Sequence, residues 1–121
     1  MDTPTVFIIE DDVDTREMLG KFLELEGYHV ETAANGRQAL DRLANGASAC
    51  VIVLDLMMPV MDGWQFRRVQ VEDARLSKIP TIVVSAAGRE RMAHISADAY
   101  LAKPIDMDEL LTRVSEFCAS V

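Results

Sequence analysis

The sequence predicts an α/β domain built on a doubly wound parallel sheet, and three observations carry that reading. Five short apolar runs, Thr5–Ile9, Tyr28–Ala33, Cys50–Leu54, Thr81–Val84 and Ala99–Ala102, are spaced along the chain. Segments with helical spacing of apolar residues separate them. The first, third and fourth runs are nearly unbroken and rich in Val and Ile, as strands buried on both faces should be. Strand–helix alternation repeated five times implies a parallel sheet with helices on both faces, joined by right-handed crossovers.

The 121 residues suit one domain, 1–121, and half of them are hydrophobic, enough for a buried core. The second run, Tyr28–Ala33, alternates more and belongs nearer an edge. Helix starts are marked by Asp14 with Glu17, Asp62 with Gln65, and Asp106 with Glu109, and more weakly by Asn35 with Gln38. In each pair the first side chain can accept a backbone N–H while the second reaches back. Leu19, Phe22 and Leu23 form the stripe of the first helix. Leu110, Leu111, Val114, Phe117 and Cys118 form that of the last. Gly27 and Gly46 stop the first two helices.

Charge and composition exclude several classes of function. A formal net charge of −8 argues against direct binding to nucleic acid or an anionic membrane. The start, Met1-Asp2-Thr3-Pro4, lacks the features of a secretion signal. No apolar run approaches the ~18 residues that span a bilayer. Cys50 and Cys118 make neither a disulfide framework nor a metal site and read as small apolar fillers. A reduced, cytoplasmic setting is expected.

The chemistry concentrates at the strand ends, where sheets of this kind bind ligands. Glu10 and Asp11 end the first run, with Asp12 next. Asp55 ends the third, Ser85 ends the fourth, and Lys103 follows the fifth. Any order placing the first and third strands side by side brings these groups together. Three carboxylates resist ionising together unless a cation sits among them. Oxygen ligands without His suit a hard ion such as Mg²⁺. A lysine and a hydroxyl at the same spot suit an anion beside the metal. Metal, anion site and carboxylate describe phosphoryl transfer, with the carboxylate as candidate nucleophile.

The blocks Ile8-Ile9-Glu10-Asp11-Asp12, Leu54-Asp55-Leu56-Met57-Met58-Pro59-Val60-Met61-Asp62-Gly63, Val84-Ser85-Ala86 and Tyr100-Leu101-Ala102-Lys103-Pro104 stand in this order over nearly the whole chain. In that respect the chain resembles the response-regulator receiver domains of two-component signalling. The resemblance implies a flavodoxin-like strand order of 2-1-3-4-5. It implies that Asp55 accepts a phosphoryl group from a histidine kinase, a phosphotransfer protein or a small phosphodonor. Asp11 and Asp55 would bind Mg²⁺ directly, Glu10 through a water, and Met57 through its backbone carbonyl. Lys103 and Ser85 would each contact a phosphoryl oxygen. Tyr100 would turn inward as Ser85 moves, shifting the face around the fifth strand. The Lys103–Pro104 bond would be cis, as only X–Pro bonds readily are.

Plainer roles compete with several of these. Asp55 alone could be a helix cap, a reading that weakens once Glu10, Asp11 and Lys103 are counted. Asp12 is expected to be a solvated loop residue. Ser85 could simply end a strand, and Tyr100 could be a half-exposed aromatic packing an edge. Met57, Met58 and Met61 suit core filling. His29 and His94 suit the surface, and Trp64 suits the start of the third helix. Arg67, Arg68, Arg89 and Arg91 suit solvated faces.

One departure from the family pattern stands out. Lys103 follows Ser85 by eighteen positions, short of the family spacing by about four residues, roughly one helical turn. A short or irregular fourth helix is expected, which leaves the family's usual dimer and the oligomeric state open. Met57 and Ala87, near the phosphoryl site, cannot orient water by hydrogen bonding, so slow self-dephosphorylation is expected. The chain would be a stand-alone receiver or part of a longer regulator, catalysing only its own phosphorylation and dephosphorylation and signalling to a protein partner or effector domain. Two rivals are weighed. A Mg²⁺-dependent phosphatase would need an acid at the position of Met57. A receiver-like interaction module would act without phosphate.

Overall fold

The computed structural model describes residues 3–86 and 88–118. Ala87 and the side chain of Arg89, to which expectations were attached above, lie outside the described residues. Five strands are joined by helices in strict alternation: β1 (Thr5–Ile9), α1 (Val13–Leu25), β2 (His29–Ala33), α2 (Gly36–Ala44), β3 (Val51–Asp55), α3 (Gly63–Glu72), β4 (Thr81–Ser85), α4 (Arg89–Met92), β5 (Ala99–Ala102) and α5 (Met107–Phe117). A 3₁₀ turn, Leu76–Lys78, precedes β4. The sheet is parallel throughout, in the order β2-β1-β3-β4-β5.

Period-two alternation within unbroken apolar runs explains the two-sided core. Phe7, Ile9, Ile52, Leu54 and Val83 point to one face, where Ala39, Leu43, Phe66 and Leu76 cover them. Val6, Ile8, Val51, Val53, Ile82 and Val84 point to the other, against Leu19, Leu23, Leu110 and Val114. β3 and β4 are buried at every position, whereas β2, at an edge, is exposed or half-buried at four of five. The alternation seen in Tyr28–Ala33 thus reflects an edge strand.

Helix capping agrees with the sequence at three starts and corrects it at one. Asp62 and Gln65 form a reciprocal capping box. Asp106 accepts from the N–H groups of Asp108 and Glu109, and Asn35 from that of Gln38. α1, however, is capped by Asp12 rather than Asp14, the carboxylate accepting from the Thr15 amide at 2.9 Å and its hydroxyl at 2.6 Å. Asp12 is thus exposed in the loop, as expected, and from there it also caps α1. Gly27 and Gly46 take φ of +98° and +100° just past α1 and α2, where a residue with a β-carbon would be strained.

The fourth helix is short, four residues long. The segment after it is anchored by Arg67, whose Nε donates to Ser96 O at 2.7 Å. Its Nη1 also meets Gln70 Oε1 and Thr81 Oγ1, beside a Gln70 that is wholly buried. Arg91 stacks over Trp64, 4.9 Å from the ring centroid. These two arginines are structural ties and not simply solvated charge.

The cysteines depart from the sequence reading. Cys50, before β3, and Cys118, after α5, are joined by a disulfide across a separation of 68 residues. Cys118 is a buried member of the core cluster on the α1–α5 side, and half-buried Cys50 packs against it. Proximity of this kind arises only from the tertiary fold, so two isolated cysteines gave no hint of it.

Candidate functional site

Strand register assembles the site. Ile9 pairs with Leu54, so Glu10 comes level with Asp55. Asp55 pairs with Val84 and Ser85 with Ala102, bringing the end of β4 and then Lys103 alongside. Two backbone bonds fix the ends: Glu10 N donates to Ala33 O and Lys103 N to Ser85 O, each at 3.0 Å. Arg16 Nη1 donates to Glu10 O at 2.8 Å and steadies the turn leaving β1.

Glu10, Asp11 and Asp55 each present an oxygen within 4.8 Å of the others. Glu10 and Asp55 are buried, while Asp11 is exposed. Lys103 Nζ donates to Glu10 Oε1 at 2.8 Å and lies 3.5 Å from Asp55 Oδ2. Burial works against ionisation of Glu10, but the Lys103 ammonium and the Asp12 amide outweigh it and hold the carboxyl below its usual range. Asp11 is raised by desolvation and by Glu10. Asp55 is pushed up to about 7, chiefly by burial and then by the Glu10 charge, with Lys103 pulling the other way. One lysine does not satisfy three carboxylates, and this donor set fits a divalent cation with oxygen ligands.

The segment after β3 shapes one wall. The Met57 N–H lies 3.4 Å from Asp55 Oδ1, which keeps its backbone beside the acidic pocket. The Met57 side chain is half-exposed and not core filler, whereas Met58 is buried and Met61 packs against the core. Val60 adopts φ of +69°, an uncommon conformation for a β-branched residue. Gly63 N donates to Leu56 O at 2.9 Å. A β-carbon on Gly63 would sit 2.6 Å from Asp55 O and 2.7 Å from Leu56 Cα. Only glycine lets α3 start this close to the strand that carries Asp55, a requirement the sequence marked only as part of a motif.

Ser85 is fully buried at the end of β4, the same end of the sheet that carries Asp55. Tyr100 lies apart from the pocket. It is half-exposed, its hydroxyl donating to Ile95 O and accepting from Ala97 N. Here the aromatic is fastened to the segment after α4, beside a groove lined by Met92, Ala93 and Ala102. His29 and His94 are both exposed. The Lys103–Pro104 bond is cis. No helix among the described residues is long and apolar enough to cross a membrane.

Comparison with known proteins places this geometry among its relatives. Residues 6–115 match the family model described as the response regulator receiver domain. Response regulator MprA of Mycolicibacterium vanbaalenii is 39% identical over 113 residues, covering 90% of this chain and 48% of that protein. The chain spans about half the length of the relatives it matches. The receiver domain of a Francisella response regulator superposes with a TM-score of 0.84 at 30% identity, covering 95% of this chain and 96% of that one. The receiver domain of a Pseudomonas aeruginosa sensor histidine kinase, solved with a magnesium ion coordinated in its active-site cleft, gives a TM-score of 0.87 at 25% identity. That match covers 98% of this chain and 100% of the other.

Proposed function

Because the chain belongs to the response-regulator receiver family, we propose that it is a phosphoacceptor switch of two-component signalling in which Asp55 carries the phosphoryl group. The observation that supports this most directly is the meeting of Asp55, the Glu10–Asp11 pair and the Lys103 ammonium in one pocket.

A carboxylate oxygen of Asp55 attacks the phosphorus of a phosphohistidine on a sensor kinase or phosphotransfer protein. The N–P bond breaks, its electron pair stays with the imidazole, and an aspartyl phosphate forms; with acetyl phosphate the leaving group is acetate. A Mg²⁺ ion would supply charge neutralisation for the phosphoryl oxygens, held by Asp11 and Asp55, by Glu10 through a water, and by the Met57 carbonyl. The magnesium in the related Pseudomonas aeruginosa domain supports that choice of ion. Lys103 turns from Glu10 toward one phosphoryl oxygen, and the Ser85 hydroxyl serves another. Tyr100 then leaves its contacts with residues 95 and 97 and turns inward, altering the face formed by α4, β5 and α5. A partner protein or effector domain reads that face. The chain acts in the cytoplasm and turns over no substrate other than its own phosphoryl group.

Location of the phosphoryl group tests this reading. After treatment with phosphoramidate and Mg²⁺, borohydride reduction should convert residue 55, and no other carboxylate, to homoserine. Conversion at another aspartate, or at none in protein shown to bind Mg²⁺, would refute it.

A further inference from the structure

We propose that Cys50 and Cys118 form a reversible thiol–disulfide site that clamps and releases the last turn of α5. The two Cα atoms are 5.2 Å apart, within the range a disulfide requires. The bond lies at the end of the sheet opposite the acidic pocket. Cys50 precedes β3 and Asp55 ends it, a distance of about 17 Å along the strand. The site is thus separate from the phosphoryl chemistry and does not depend on it.

The surroundings accommodate both redox states. The Cys50 sulfur lies 3.1 Å from Thr5 O in the disulfide-bonded structure, so a thiol formed there by reduction would have an acceptor within reach. Cys118 keeps apolar neighbours with Leu110 and Val114, an environment suited to a free thiol. The start of β3 is held without the bond, since Cys50 N donates to Thr5 O at 2.8 Å. In α5, Leu110 and Val114 are fully buried, whereas Phe117 in the last turn is only half-buried. The bond therefore matters most for that turn.

The exchange is balanced with a small cellular thiol as co-reactant. Its thiolate attacks the sulfur of half-buried Cys50, the S–S bond breaks, and the Cys118 thiolate leaves. A second thiolate attacks the mixed disulfide and releases Cys50, so two thiols become one disulfide as the protein gains two thiols. Inside cells, disulfides of this kind are commonly transient and redox-sensing.

The test equilibrates the native chain in glutathione buffers of graded ratio, quenches with an alkylating agent and counts labels by intact mass. Hydrogen exchange then follows residues 114–118. We expect full interconversion between no label and two without denaturant. Exchange in the last turn should be about tenfold faster in the dithiol form, with the pocket segments unchanged. Cys118→Ser should reproduce the dithiol pattern, and Cys50→Ser serves if that variant folds poorly. Two labels persisting in fully oxidised glutathione would overturn the proposal. So would a bond that reduces only after unfolding, or identical exchange in both states.

Discussion

The Lys103 ammonium lies 2.8 Å from Glu10 Oε1 but 3.5 Å from Asp55 Oδ2. The lysine thus neutralises the neighbour of the phosphoacceptor more closely than the phosphoacceptor itself. Glu10 is held low while Asp55 is raised, so of the two buried carboxyls Asp55 is the more readily protonated. In the proposed mechanism a divalent cation or a phosphoryl group at Asp55 would change that balance and let Lys103 turn toward the phosphoryl oxygens.

Replacing Lys103 with Ala should separate metal binding from phosphoryl transfer. The carboxylates remain, so calorimetric titration should still show Mg²⁺ binding, with affinity equal to or above that of the native chain. Removing the cation that faces the transferring oxygens should slow phosphorylation by acetyl phosphate about a hundredfold. Loss of Mg²⁺ binding in the folded variant would contradict this division of labour.

The raised Asp55 pKa sets a pH dependence for the metal-free protein. The folded state favours the protonated carboxyl, so this contribution is fully present below about pH 4 and is lost as pH rises through about 7. Asp55→Asn, which mimics the protonated form, should therefore stabilise the metal-free chain by about 2 kcal/mol at pH 8 and by almost nothing at pH 4. Urea unfolding at the two pH values measures the difference. Saturating Mg²⁺ should stabilise the native chain and leave the variant much less affected.

Gly63→Ala should damage stability and function together. The added methyl would meet Asp55 O and Leu56 Cα, at 2.6 and 2.7 Å, and backbone atoms cannot swing aside as a flexible side chain would. A loss of about 2–3 kcal/mol is expected, with a lower phosphorylation rate in the fraction that stays folded. Native stability and rate would show that the start of α3 yields freely.

What the sequence disclosed about this fold follows from where each signal resides. The strands were legible because Phe7 and Ile9 face one layer while Val6 and Ile8 face the other, which leaves an unbroken apolar run. The grouping of Glu10, Asp11, Asp55 and Lys103 was legible because strand ends converge by topology alone. The short fourth helix could be read only by setting the spacing between Ser85 and Lys103 against the pattern of the family the chain resembles. The α1 cap was misplaced by two residues, since Asp12 with Thr15 and Asp14 with Glu17 offer similar local chemistry. The Cys50–Cys118 bond and the outward hold on Tyr100 depend on distant or irregular segments, for which no periodic pattern exists.

The contacts of Tyr100 make a further prediction. Tyr100→Phe removes the hydroxyl bonded to Ile95 O and Ala97 N, at a cost of about 1 kcal/mol. Hydrogen exchange over residues 93–98 should quicken, while phosphoryl uptake at Asp55 stays near the native rate. Unchanged exchange there would show that the hydroxyl does not hold this segment.

Intact mass after incubation with acetyl phosphate tests the phosphoacceptor role most directly, comparing the native chain with Asp55→Ala, each with and without Mg²⁺. The native chain should gain the mass of one phosphoryl group only when Mg²⁺ is present, and Asp55→Ala should gain none. No gain in native protein shown to be folded and to bind Mg²⁺, or an equal gain in Asp55→Ala, would contradict the assignment of Asp55 as phosphoacceptor.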